Sequence, residues 1–297
     1  MDKFTKELKN ITEYVENNFP KSVQGCSEIY ENYKSNGFVG NIPDFLKKEV
    51  LEDNYQKFFK TFDECVKFLE KNQIKKAEEC LNNFFDYKII FKCQKLDVSN
   101  AAYTRNGFII SNNKNSQKLF IKSYRKDYKE NNFYYRNGPM VEAWVGLFVN
   151  NHLKNSPYFC KIYFANVIKM YLVSEFVESC MDYTEEFNAS GVKEIHDMKE
   201  KEQVVVNFFE KLIGKKINHF ELLQSIEKGK FRFLDYKAEN FIVYLDENNE
   251  KSIKMIDYGF CISFEERFIT FGEKEDKKNK KYTVIDLKTF NKMFNNK

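Results

Sequence analysis

Two apolar stretches near the C-terminal end of the chain carry four polar residues at defined spacings. The first, FLDYKAENFIVY, contains Asp235, Lys237 and Asn240, and the second, IKMIDYGF, contains Asp257. The alternation of apolar and polar residues predicts short strands that bracket the polar turn from Asp246 to Asn249. Little else in the sequence indicates a function. A functional site in this chain is therefore expected to be built around these four residues.

Composition limits the classes of protein that the chain can belong to. Its 297 residues, 42% of them apolar, are enough for one domain with a sizeable core and a helical extension. The 48 basic and 44 acidic side chains leave a net charge of only +4, so no nucleic-acid surface is indicated. Seven cysteines without paired spacing argue against a disulfide framework, and three histidines argue against structural zinc. A charged N-terminus without signal peptide and the lack of a long apolar run predict a soluble, cytoplasmic protein without a transmembrane segment.

The first 85 residues differ from the rest in their hydrophobic period. Apolar residues at helical spacing predict a helix from Phe4 to Phe19 and one long or two short helices from Tyr55 to Phe85. Residues 1–85 are therefore expected to form a helical extension. Such an extension either binds a partner or packs against the domain that follows it.

The period changes after Asp86, which makes the chain as a whole an α+β protein. Five strands are predicted, at 87–93, 102–110, 118–124, 159–164 and 168–176. A helix from Pro139 to Leu153 is expected between the third and fourth strands, and a polar break at Ala165-Asn166 between the last two. Beyond Glu178 the pattern is again helical, at 199–213, 220–226 and 284–294.

The residue types in the two C-terminal stretches suit phosphoryl transfer, which depends on positioning and charge neutralisation more than on covalent chemistry. A carboxylate such as Asp235 can orient the acceptor hydroxyl, and Lys237 can stabilise the transferred phosphoryl group. Asn240 and Asp257 offer the oxygen ligands that Mg²⁺ needs. Gly259 allows the chain to turn sharply beneath Asp257.

Such a site also needs a lysine that grips the phosphates and a carboxylate that holds the lysine. Lys122 lies in the apolar strand pattern LFIKSY, and Glu142 lies in the predicted helix PMVEAW. Lys122 precedes Glu142, and the order and the spacing of the two in the sequence suit a lysine and the carboxylate that holds it. Lys118 and Lys126 flank Lys122, and Glu130 is the competing carboxylate.

These motifs together resemble those of a protein kinase from Tyr87 to the C-terminus. The loop H-R-D-L-K-P-E-N appears as Phe-Leu-Asp-Tyr-Lys-Ala-Glu-Asn, and D-F-G appears as Asp-Tyr-Gly. The resemblance implies a bilobal fold with a five-stranded small lobe at 86–177 and a truncated helical large lobe at 178–297. It also implies ATP and Mg²⁺ as cofactors, with adenine held by backbone groups of Glu175 and Val177.

The chain departs from the kinase pattern in four places. No G-x-G-x-x-G is present, and the corresponding turn is expected to use backbone amides of Ser99, Asn100 and Ala101 to cradle the phosphates. Leu234 replaces the arginine before the catalytic aspartate, so an activation-loop phosphate would have nothing to dock onto. No A-P-E follows Asp257, and the remaining residues are too few for an activation segment and the later large-lobe helices.

These departures resemble the minimal effector kinases that bacterial pathogens inject into host cells and that lack an activation segment. That resemblance implies a virulence effector in a host cytosol, secreted by a non-classical route, with ubiquitin or a ubiquitin-conjugating enzyme as partner. The expected function is a serine/threonine-protein kinase acting on a protein substrate. One alternative is a kinase-fold scaffold that binds ubiquitin or another protein. The other is a small-molecule kinase of the aminoglycoside or choline type, which normally lacks a lysine at the position of Lys237.

Overall fold

The computed structural model describes residues 38–40, 42–97, 104–124, 142, 157–166, 169–195, 198–217, 231–233, 236–258 and 261–263. Over these ranges the chain is an α+β protein that divides into two compact units. The first consists of Met1–Leu147 and Lys161–Phe176, and the second of Phe148–Cys160 and Val177–Lys297. None of the helices in the described ranges combines the length and the apolarity that a membrane crossing requires.

An antiparallel sheet forms the centre of the first unit. Its strands are β1 (Phe38–Gly40), β2 (Phe91–Leu96), β3 (Thr104–Asn112), β4 (Leu119–Tyr124), β5 (Ile162–Asn166) and β6 (Tyr171–Glu175). They are ordered β1-β5-β6-β4-β3-β2, and each neighbouring pair is antiparallel. The five strands predicted from the alternation of apolar residues are therefore confirmed as one sheet. β1 adds a short edge strand that the sequence analysis missed.

Several strand boundaries differ from the predicted ones, and two of the differences have a clear physical reason. β2 begins at Phe91 and not at Tyr87, because Asp86 and Tyr87 have positive φ angles of 49° and 57° that no extended strand contains. The predicted break at Ala165-Asn166 is wrong, since β5 continues through Asn166. The fully buried Asn166 side chain accepts a hydrogen bond from the backbone N–H of Lys169 at 2.9 Å, so the chain turns only after this residue.

Two helices, α1 (Tyr55–Glu70) and α2 (Ile74–Phe84), pack on one face of this sheet. Of the two predicted arrangements, two short helices are confirmed. They are separated at Asn72, which has a left-handed φ of 59°. The N–H of Gln73 donates to the carbonyl of Phe68 at 2.9 Å, which closes the end of α1 in the way that a left-handed residue permits.

The helices and the sheet share one hydrophobic core. The ring of Phe164 on β5 lies 6.1, 5.2 and 5.0 Å from the rings of Phe58, Phe59 and Phe62 on α1. Aromatic side chains bury large areas and prefer such tilted contacts. The helices from the predicted N-terminal extension therefore pack against the sheet, which was one of the two roles foreseen for them. The predicted helix from Phe4 to Phe19 lies outside the described residues.

A half-buried carboxylate links α1 to the sheet. Asp63 accepts hydrogen bonds from the Tyr171 hydroxyl at 2.7 Å and from the Asn166 amide at 3.0 Å. Burial raises the pKa of Asp63, Glu64 raises it further, and the two hydrogen bonds and Lys169 oppose the shift. The contact thus fixes the helix on the sheet at the cost of desolvating a charge.

Asp63 is expected to make the stability of the fold pH-dependent. Its folded pKa lies above the ordinary value of 3.8, so its contribution is fully present below the unfolded pKa and is lost as the pH rises through the folded pKa. Compared with Asp63→Asn, the wild type should gain stability as the pH falls from 7 towards 4. Urea unfolding of both proteins across this range measures the difference. A stability difference between the two proteins that stays constant with pH, or that changes in the opposite sense, would contradict the raised pKa of Asp63.

Side chains of α2 cover the outer edge of the sheet. Asn82 Oδ1 accepts the backbone N–H of Phe91 at 2.7 Å, and Glu78 Oε1 accepts that of Cys93 at 2.9 Å. Unpaired N–H groups on an edge strand are templates for pairing with another chain. Two residues one helical turn apart on α2 therefore occupy donors that β2 would otherwise present to solvent.

Asn82→Ala is expected to lower the free energy of unfolding by about 1–3 kcal/mol, because it leaves the buried N–H of Phe91 without its acceptor. Urea denaturation measures this change. Asn83→Ala is the matched control, since Asn83 is exposed on the same helix and its replacement should change stability by less than about 0.5 kcal/mol. A loss of stability in Asn82→Ala no larger than that in Asn83→Ala would show that the hydrogen bond between Asn82 and Phe91 contributes nothing to stability.

The second unit contains two α-helices and two antiparallel strand pairs within the described ranges. The elements are α3 (Thr184–Ala189), α4 (Met198–Ile213), β7 (Phe231–Phe233), β8 (Phe241–Leu245), β9 (Lys251–Met255) and β10 (Cys261–Ser263). β8 pairs with β9 and β7 with β10. The predicted hairpin around the turn from Asp246 to Asn249 and the predicted helix at 199–213 are confirmed. The predicted helices at 220–226 and 284–294 lie outside the described residues.

Candidate active site

The first unit brings together the predicted lysine and carboxylate. Lys122 Nζ donates to Glu142 Oε2 at 2.9 Å, and the same oxygen accepts a hydrogen bond from the Tyr124 hydroxyl. Lys122 Nζ also lies 5.3 Å from the centre of the Tyr124 ring. Glu142 is helical, but the rest of the predicted helix around it, like the competing Glu130, lies outside the described residues.

The strand pattern explains why Lys122 faces away from the helical layer. Leu119 and Ile121 of β4 belong to the core shared with α1 and α2, and Ser123 donates to Glu70 of α1 at 2.5 Å. Because successive side chains of a strand point to opposite faces, Lys122 and Tyr124 lie on the other face of the sheet. The sheet therefore lies between Lys122 and the two helices α1 and α2, which stabilise the sheet.

Both side chains of the ion pair are buried. Lys122 is 9% exposed and Glu142 is 4% exposed. Moving two charges out of water costs several kcal/mol for each ion, and replacing such a pair by apolar residues is often neutral or stabilising. Stability alone is therefore a poor explanation for the pair, and buried charges of this kind are candidates for functional residues.

The second unit brings together the two predicted metal ligands at one end of the β8–β9 hairpin. Phe241 is opposite Met255 in this hairpin, so Asn240 directly precedes the first strand and Asp257 closely follows the second. The N–H of Ile256 donates to the carbonyl of Asn240 at 2.8 Å. Asn240 is buried and Asp257 is half-buried, at the end of the hairpin opposite to its turn.

The backbone at Asp257 is strained and held on both sides. Its φ is 62°, in the left-handed region that few residues other than glycine adopt. Before it, Met255 exchanges hydrogen bonds with the segment around Phe159, and after it the fully buried Tyr258 donates to the carbonyl of Cys160 at 2.6 Å. Strain that the surroundings hold in place is found preferentially at functional sites.

The segment between β7 and β8 is fixed to α4. The Tyr236 hydroxyl lies 3.1 Å from Oε1 of Glu202, whose side chain is buried on α4. Lys237, the next residue, is half-buried, and its carbonyl accepts the N–H of Asn240 at 3.1 Å. Lys237 and Asn240 are thereby presented from the two ends of one tight turn.

The predicted adenine-binding residues lie at the end of β6. The N–H of Glu175 donates to the carbonyl of Lys161 at 2.9 Å, and its carbonyl lies 3.1 Å from the Ser174 hydroxyl. Val177 is half-buried and is the first residue of the second unit after this strand. Adenine binding by these backbone groups stays a prediction.

Five of the residues that were assigned a role in the predicted site lie outside the described residues. They are the expected catalytic carboxylate Asp235, the turn residues Ser99, Asn100 and Ala101, and Gly259. Their assigned roles stay predictions.

Sequence reasoning missed three tyrosines that support these residues. Tyr124 contacts Glu142, Tyr236 contacts Glu202, and Tyr183 contacts the backbone around Asn240. The period of two along β4 places Tyr124 on the same face as Lys122, and this signal was available in the sequence. No local pattern marks the other two, because their partners are distant in the sequence.

The donor types of the second unit fit a magnesium ion. The amide oxygen of Asn240 and the carboxylate of Asp257 are hard oxygen ligands, and Mg²⁺ is commonly bound by one or two protein oxygens together with substrate phosphates. Comparison with models of known protein families and with curated protein sequences found no match to this chain. The chemistry of the residues themselves therefore carries the functional argument.

Proposed function

We propose that the chain is a protein kinase that transfers the γ-phosphate of ATP to a protein hydroxyl in the presence of Mg²⁺. The observation that carries the proposal is the buried ion pair between Lys122 and Glu142 on the face of the sheet opposite to α1 and α2. An ammonium group held by a carboxylate keeps its charge and its direction after leaving water, as a group that grips the α- and β-phosphates must.

The end of the β8–β9 hairpin supplies the second part of the proposal. Asn240 and Asp257 would hold Mg²⁺, which when bound neutralises negative charge on the phosphates. The Ile256–Asn240 hydrogen bond and the fixed backbone at Asp257 support this role because they hold the two oxygen ligands at one end of the hairpin.

The remaining roles follow from the kinase resemblance. Asp235 would accept the proton of the substrate hydroxyl, and Lys237 would stabilise the transferring phosphoryl group. Backbone groups of Glu175 and Val177 would hold adenine, and a turn with Ser99, Asn100 and Ala101 would cover the phosphates. The lysine two residues after Asp235 favours serine or threonine as the acceptor.

The proposal is tested by incubating the purified chain with γ-labelled ATP, Mg²⁺ and protein acceptors. Label on the chain itself or on an added protein, stable as phosphoserine or phosphothreonine and abolished by a chelator, is the expected result. Thermal shift measured in parallel should show stabilisation by ATP with Mg²⁺. The absence of both label transfer and a nucleotide-dependent thermal shift would contradict the proposal.

The same experiment distinguishes the alternatives. A scaffold would transfer no label and show no thermal shift with ATP and Mg²⁺. A small-molecule kinase would consume ATP when choline or an aminoglycoside is added and not when proteins are added. Whether ubiquitin or a ubiquitin-conjugating enzyme is a partner is tested by adding each of them to the transfer assay.

A further inference from the structure

The hydroxyl of Tyr183, the residue before α3, contacts the turn that carries Asn240. It donates to the carbonyl of Phe241 at 2.6 Å and lies 3.1 Å from the carbonyl of Ala238. A hydroxyl has one proton, so the two carbonyls share the donor. The contact joins positions 55 and 58 residues apart in the sequence, which local structure cannot bring together.

The turn that Tyr183 contacts is short. It is a single 3-10 turn, Ala238–Asn240, without a side-chain cap. Its hydrogen bonds include those from the Asn240 N–H to the Lys237 carbonyl and from the Phe241 N–H to the Ala238 carbonyl. Such short turns have poor hydrogen-bond geometry, so their conformation depends on contacts from outside.

Tyr183 is well suited to be such a contact. Its ring packs edge-on against Phe209 at 5.3 Å and its side chain is buried. Burial raises the pKa of the Tyr183 hydroxyl, and the carboxylates of Glu239 and Asp182 raise it further. The hydroxyl therefore remains protonated, and able to donate, throughout the physiological pH range.

We propose that Tyr183 is a positioning residue for the metal ligands Asn240 and Asp257. It acts by holding the carbonyls of Ala238 and Phe241, and so the conformation of Glu239 and Asn240, the two residues between them. The hydrogen bond from Ile256 N–H to the Asn240 carbonyl extends this control to the backbone next to Asp257. The inference rests on the proposed function, in which these two side chains bind Mg²⁺.

The test is the Mg²⁺ requirement for ATP binding by the full chain, measured by calorimetric titration of ATP at several Mg²⁺ concentrations. Tyr183→Phe keeps the ring and removes only the hydroxyl. It should raise the Mg²⁺ concentration for half-maximal ATP affinity roughly threefold to tenfold, the effect of losing one hydrogen bond. Amide exchange of Ile256 in the nucleotide-free protein should become roughly fivefold faster.

Tyr171→Phe is the matched control, because it removes a buried tyrosine hydroxyl that bonds Asp63 in the first unit at 2.7 Å. It should lower thermal stability and leave both the Mg²⁺ requirement and Ile256 exchange as in the wild type. Asn240→Ala is the positive control and should raise the Mg²⁺ requirement more than Tyr183→Phe does.

Each other outcome overturns a different claim. If Tyr183→Phe behaves like Tyr171→Phe while Asn240→Ala is impaired, the positioning role is wrong and the proposed function stands. If the wild type binds ATP without any dependence on Mg²⁺, or not at all, both are wrong. If Tyr183→Phe unfolds, Ile256 exchange in the wild type decides instead, because protection no greater than that of an exposed turn would rule out a fixed Asn240–Ile256 bond.

Discussion

Asp257→Asn is expected to lower the rate of phosphoryl transfer about a thousandfold while the chain stays folded. A metal ion supplies several kcal/mol of transition-state stabilisation, and each ~1.4 kcal/mol corresponds to a factor of ten in rate. Asparagine has the size of aspartate but lacks the negative charge that the metal requires. Transfer of labelled γ-phosphate, measured at saturating ATP and Mg²⁺ beside urea unfolding, tests the prediction.

Asparagine is preferable to alanine at this position because the backbone there is left-handed, with a φ of 62°. Asparagine tolerates that conformation as aspartate does, whereas alanine would add strain of about 1–2 kcal/mol and confuse stability with activity. Glu247→Gln, an exposed carboxylate in the turn of the same hairpin, is the charge-matched control and should keep full activity. Undiminished transfer by Asp257→Asn would remove Asp257 from the site.

The sheet of the first unit could be predicted because its strands carry their own signal. β4 alternates residues of the helix-facing core, Leu119 and Ile121, with residues of the other face, and this period of two is visible in LFIKSY. The ends of the strands could not be predicted. Asp86 ends α2 in a left-handed conformation that glycine usually adopts, and nothing local distinguishes such an aspartate from one in a strand.

β1 shows why an edge strand is harder to predict than a central one. Phe38–Gly40 has only three residues, which are too few for a clear alternation of apolar and polar side chains. Its strand conformation comes from its partner, since it pairs with β5 at Phe164 to Asn166. A Cβ at Gly40 would lie 2.4 Å from the Tyr163 carbonyl, so this glycine permits the close approach of the two strands. Both facts depend on residues far away in the sequence.

In the candidate site, too, some residues could be predicted from the sequence and others could not. Lys122 and Glu142 were predicted as a pair from their order and their apolar flanks, and the structure places Nζ and Oε2 at 2.9 Å. Asn240 and Asp257 were predicted from their spacing. The residues that hold these groups in place, such as Tyr183 and Glu202, gave no signal, because burial and partners are properties of the folded chain.

The ion pair provides the second large prediction, a double-mutant cycle. Lys122→Met and Glu142→Gln should each lower the free energy of unfolding by about 3–5 kcal/mol, because each removes one charge of a buried ion pair and leaves the opposite charge in place. The double variant should recover most of this loss, since neither charge remains and the glutamine oxygen can still accept the Tyr124 hydroxyl. Urea unfolding measures the stability of the four proteins.

The rate of phosphoryl transfer should not vary in parallel with stability among the four proteins of this cycle. Neither the single variants nor the stable double variant should transfer phosphate, because all of them lack either the ammonium group or the carboxylate that directs it. Lys95→Met, which removes an exposed lysine from β2 of the same sheet, should keep both stability and activity. A double variant that is stable and active would show that the buried pair serves the fold alone. One that is stable and inactive separates the function of Lys122 and Glu142 from their contribution to folding.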